Sequence, residues 1–84
     1  MGRDEKLYEK IKNNPKSVTF EEIDRLLVNV AGFTKRNGSR ASHFFYKHEK
    51  LKDINGFVNI PYAKPIKSIY IKKAIKAFEE VMGL

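Results

Sequence analysis

The chain has no cysteine, which excludes disulfide bonds, a thiolate metal site and a cysteine nucleophile, and suits a reducing cytosol. Histidine is scarce: His43 and His48 stand five residues apart with no carboxylate cluster beside them, so no metal centre is expected. No Ser, His and acid constellation is visible, so a hydrolase triad is not expected either. No apolar run approaches membrane-spanning length, and the start, Met1-Gly2-Arg3-Asp4-Glu5-Lys6, is charged and carries no hydrophobic signal region. A soluble cytoplasmic protein with no membrane partner is expected. Acids are short as well, 10 Asp and Glu against 17 Lys and Arg, giving a formal charge of +7 and a pI of about 9.7. Such a surplus draws polyanions, phosphate backbones above all, through counterion release that depends on salt and ignores sequence. Solvated lysine faces or an acidic protein partner would account for the same charge.

What is present fits one small domain. Eighty-four residues with 42% hydrophobic content support one modest core over residues 1–84, with no internal repeat and no low-complexity tract. Asp4 to Asn14 reads as a helix with a narrow apolar stripe, Leu7, Tyr8 and Ile11, which predicts loose docking, and Asn13-Asn14-Pro15 ends it. Thr19 and Glu22 have the spacing of a capping box, and Val18 can staple onto Ile23. Ile23, Leu26, Leu27, Val30 and Ala31 then recur at helical spacing up to Gly32, a left-handed cap, after which Phe33 plugs the core. Gly56 to Pro61 reads as a strand closed by a proline. The last helix begins near Ile66 to Ser68, and its buried stripe is Ile71, Ala74, Ile75, Phe78 and Met82, with Lys67, Lys72, Lys73 and Lys76 off the stripe. The order helix, helix, three strands, helix predicts an α+β fold of two layers: a three-stranded antiparallel sheet with helices on one face.

The chemistry concentrates between Lys35 and His48. Asn37-Gly38 is a strong hairpin signal, because a tight two-residue turn needs the positive φ that Asn and Gly tolerate. After it, alternation puts Ser42, Phe44, Tyr46 and His48 on one strand face and His43, Phe45 and Lys47 on the other. With Phe44 and Tyr46 turned inward, the open face offers an imidazole, a ring for base stacking and a cation for phosphate, a group suited to RNA. His48 falls on the opposite face and reads as structural or loop-exposed.

Several landmarks in this order resemble the HicA family of toxins: Gly32-Phe33 closing a long helix, Lys35-Arg36, Gly38-Ser39, His43 in the second strand, Ile60-Pro61, and Ile69-Tyr70-Ile71-Lys72-Lys73. The resemblance covers about Asn14 to Leu84. It implies a small fold similar to double-stranded-RNA-binding domains and a ribonuclease that cleaves messenger RNA, held inactive by a HicB-type antitoxin in a two-component toxin–antitoxin system. Two features depart from the pattern. Arg40-Ala41-Ser42 stands between Gly-Ser and the histidine, and Tyr62-Ala63 follows Ile-Pro where many members have another histidine.

RNA can be cut without a metal or other cofactor, because its own 2′-hydroxyl attacks the adjacent phosphate. An unperturbed imidazole, titrating at about 6.5, serves as acid or base near neutrality. On the reading that the resemblance implies, His43 is the catalytic acid or base, Arg36, Arg40 and Lys47 clamp phosphate, Ser39 or Ser42 positions it, and Phe45 completes the RNA contact. Two other readings stay open: a non-catalytic RNA-binding module of the same fold, and a protein-interaction domain for an acidic partner.

Overall fold

In the computed structural model, described over residues 3–37, 43–51, 57–63 and 65–84, the elements follow the expected order. Helix α1, Arg3–Asn13, gives way to a 3-10 turn, Pro15–Ser17, since proline at its first position cannot donate the next helical bond. Helix α2, Phe20–Arg25, begins at the capping box: Thr19 Oγ1 accepts from the Glu22 amide at 3.2 Å, and Glu22 Oε1 accepts from the Thr19 amide at 3.0 Å. The helix does not continue regularly to Gly32. Leu26–Val30 widen into a π-helical turn, so that the Ala31 amide reaches Leu26 O at 3.2 Å and the Phe33 amide reaches Leu27 O at 2.9 Å. Each bond reaches one residue further back than in an ordinary glycine cap. The widened turn buries adjacent Leu26 and Leu27 together, while Gly32, at φ +79°, reverses the chain and buries Phe33 as expected.

Strands β1 (Thr34–Asn37), β2 (His43–Lys47) and β3 (Phe57–Pro61) pair antiparallel in the order β1-β2-β3, neighbours in sequence and in the sheet. The antiparallel pairing agrees with the sequence, but the tight turn does not. A two-residue turn at Asn37-Gly38 would bring Arg36 opposite Ser39. Arg36 is instead opposite Phe45 and Asn37 opposite Phe44. That register sets Lys35 across from Tyr46, where both side chains reach Asp24 of α2.

One sheet face is covered by the helices. Tyr46, Val58 and Ile60 point into it and join Ile11, Ile23, Leu26, Leu27, Ile66, Ile71 and Phe78 in one core. Complete burial of such an aliphatic side chain stabilises by about 1.5–3 kcal/mol. The Ile66 amide donates to Val18 O at 3.4 Å, tying the connector after β3 to the start of α2. Helix α3, Ser68–Met82, buries Ile71, Ala74, Ile75, Phe78 and Val81. Met82 does not belong to this stripe: it is 44% exposed against 7% for Val81, because the last turn overhangs the layer beneath, with Gly83 and Leu84 also exposed. Gly83, at φ +75°, permits the end, and the Leu84 amide returns to Glu79 O at 2.8 Å. The narrow stripe of α1 seats more firmly than expected. Ile11 is fully buried, Tyr8 stacks on Phe78 with ring centroids 5.1 Å apart, and the Tyr8 hydroxyl and Lys12 both bond Glu79 of α3. Among the described residues no helix is long and apolar enough to cross a membrane.

Candidate nucleic-acid interface

Strand alternation decides which side chains meet. Because Tyr46 is buried, its neighbours Phe45 and Lys47 face away from the helices, and His43 joins them two residues back along β2. The register adds Arg36 and Thr34 from β1, opposite Phe45 and Lys47, and Pro61, Asn59 and Phe57 from β3, opposite His43, Phe45 and Lys47. Arg36, Lys47 and Asn59 are exposed, while His43, Phe45 and Phe57 are partly so. None of these residues is acidic. Four expected site residues, His43, Arg36, Phe45 and Lys47, thus share one face. The other three, Ser39, Arg40 and Ser42, lie outside the described residues.

The spacing suits a phosphodiester chain. Arg36 stands diagonal to both His43 and Lys47, with diagonal partners about 7 Å apart. From His43 to Lys47 the strand rises about 13 Å. Phe45 is midway, its ring 5.3 Å from that of Phe57 and nearly edge-on, at 72°. Among the described residues the Arg36 and Lys47 side chains have no hydrogen-bond or ion-pair partner, whereas Lys10, Lys12 and Lys35 are paired with Glu22, Glu79 and Asp24.

The covered side holds this face in place. The Tyr46 hydroxyl donates to Asp24 Oδ1 at 2.7 Å, and Lys35 Nζ approaches the same oxygen at 3.0 Å while lying over the rings of Phe20 and Phe44, 5.1 and 4.8 Å away. Burial first, then the bond to Asp24, pushes the Tyr46 hydroxyl well above its ordinary pKa of 10.0, so it stays a neutral donor. Residue 46 is thereby fixed between the two site residues Phe45 and Lys47.

His48 is no partner for His43. Its ring packs edge-on against Phe33, centroids 5.3 Å apart, and its Nδ1 accepts from the Lys50 amide at 3.0 Å, a structural role as the strand parity indicates. Phe44 packs on Phe20 at 4.9 Å in the covered layer, and Tyr62, though 42% exposed, leans on Phe20 at 5.0 Å. Tyr70 packs against the core. Sequence reasoning passed over Phe57 and Asn59 as members of the open face. The signal was available: with Val58 and Ile60 inward, residues 57, 59 and 61 must point out. No family model, curated protein or solved structure matches the chain.

Proposed function

We propose that the chain is a HicA-type endoribonuclease that cuts messenger RNA in the cytoplasm without a metal, and that a HicB-type antitoxin holds it inactive by covering the same sheet face. One observation carries the reading. His43, Phe45 and Lys47 alternate along β2 with Arg36 opposite Phe45, on the sheet face turned away from the helix layer. In the reaction the 2′-hydroxyl oxygen bonds to the adjacent phosphorus and the bond from phosphorus to the 5′ oxygen breaks. A 2′,3′-cyclic phosphate and a 5′-hydroxyl result, so one proton leaves the attacking oxygen and one arrives at the departing oxygen. His43 handles one of these transfers, and Arg36, a diagonal neighbour, meets the charge that builds on the phosphorane oxygens. Lys47 holds the next phosphate along the strand.

The alternative, an RNA-binding module that does not cut, draws support from His48: its ring is committed to Phe33 and Lys50, leaving His43 as the one imidazole of the open face among the described residues. Purified chain and His43→Ala, matched by thermal unfolding and incubated with messenger RNA in the presence of a chelator, separate the two. New cyclic-phosphate ends from the parent and none from His43→Ala are the expected result. Equal cutting by both removes His43 from the reaction, and binding without cutting by the parent establishes the module.

A further inference from the structure

The open face contains more than the proposed reaction uses. Phe57 and Asn59 extend it across β3, with Asn59 directly opposite Phe45 and Phe57 opposite Lys47. An apolar pair on a sheet face has an ordinary explanation, cross-strand stabilisation. The surroundings point further. Phe45 and Phe57 are partly exposed on the face turned away from the helices, so their burial is incomplete among the described residues. Arg36 and Lys47, the cations beside them, lack side-chain partners among those residues, and no carboxylate occupies the strand positions of this face. The exposed amide of Asn59 supplies both a donor and an acceptor beside a ring. Rings, a two-way hydrogen-bonding group and uncommitted cations match a strand whose bases are free and whose backbone is anionic.

We infer that this face takes single-stranded RNA, stacking unpaired bases on Phe45 and Phe57 while Asn59 bonds a base edge and Arg36 and Lys47 follow the phosphates. The inference rests on the RNA reading above and narrows its substrate. A duplex hides the base faces in its own stack and is bound through its shape, its phosphates and its 2′-hydroxyls, for which exposed phenyl rings are of no use. Stacking on aromatic side chains, by contrast, is sequence-tolerant and costs a large factor in affinity when the ring is lost.

The test uses the full chain with His43→Ala, so that bound RNA stays whole, and measures the affinity for a labelled single-stranded RNA and for the same strand annealed to its complement. The single strand is expected to bind at least about tenfold more tightly, and Phe57→Leu, which keeps an apolar side chain, to weaken single-strand binding about tenfold or more. A second readout needs no further variant: an RNA carrying a fluorescent base analogue should be quenched on binding, as a stacked base is. Equal or tighter binding of the duplex, an unchanged affinity in folded Phe57→Leu, or binding without quenching overturns the inference. Duplex preference together with His43-dependent cutting would leave the nuclease standing and remove only the stacking. Tight single-strand binding without cutting does the reverse. Failure to bind either RNA at low salt overturns both and turns the face over to an acidic protein.

Discussion

Tyr46 shows how much one side chain can settle. It is the largest of the fully buried residues, and its hydroxyl is satisfied by Asp24, which Lys35 also holds. Removing that hydroxyl leaves Asp24 with its lysine, so Tyr46→Phe should cost only about 1–2 kcal/mol at neutral pH, read as a lower urea midpoint with unchanged slope. The pH dependence separates this from a packing defect. The folded hydroxyl titrates above the ordinary 10.0, so the neutral form is favoured on folding. The contribution is complete below pH 10.0 and is lost as pH rises beyond it, because the unfolded chain ionises there first. The gap between parent and Tyr46→Phe should therefore narrow above that pH.

At the scale of elements, the start of α2 joins three interactions at one carboxylate. The Glu22 carboxylate accepts from the Thr19 amide, which closes the capping box, accepts from the Thr19 hydroxyl and pairs with Lys10 of α1. The Lys10 ammonium first, and the Thr19 amide next, hold its carboxyl below the ordinary 4.5. A depressed carboxylate stabilises above that value and ceases to as pH falls through its folded value. Thr19→Ala should cost about 1 kcal/mol at neutral pH, and Glu22→Gln should flatten the loss of stability below pH 4.5; chemical denaturation across pH measures both. This boundary was legible in the sequence because capping is a matter of neighbours three residues apart. The π turn at Leu26–Val30 was not, since Ile23, Leu26, Leu27, Val30 and Ala31 have the spacing of an ordinary helix and nothing local marks the widening. Met82 illustrates the same limit: periodicity marks the face of α3 but not where the neighbouring layer stops. On the site side, parity in β2 separated His43, Phe45 and Lys47 from Tyr46 correctly. Arg36 was expected among the phosphate clamps, but the Asn37-Gly38 signal misdirected its cross-strand partner, which is Phe45, and Phe57 and Asn59 required the same parity argument on β3.

For the molecule as a whole, a formal charge of +7 does not act evenly. Lys10, Lys12 and Lys35 are ion-paired, Lys67, Lys72, Lys73 and Lys76 are exposed along or beside α3, and Arg36 and Lys47 stand on the open face. If RNA binds there, Arg36→Ala and Lys47→Ala should each reduce the slope of log affinity against log salt by about 1, whereas Lys12→Ala should leave it nearly unchanged; titrations at several salt concentrations decide. The two layers also differ in how the chain reaches them. Strand order equals chain order, so the sheet can close through short loops, but the bond from Tyr8 to Glu79 joins residues 71 positions apart. Closing a long loop costs more chain entropy than closing a short one. The seam between α1 and α3 therefore carries a large closure cost, and the burial of Ile11 and the stacking of Tyr8 on Phe78 are what offset it.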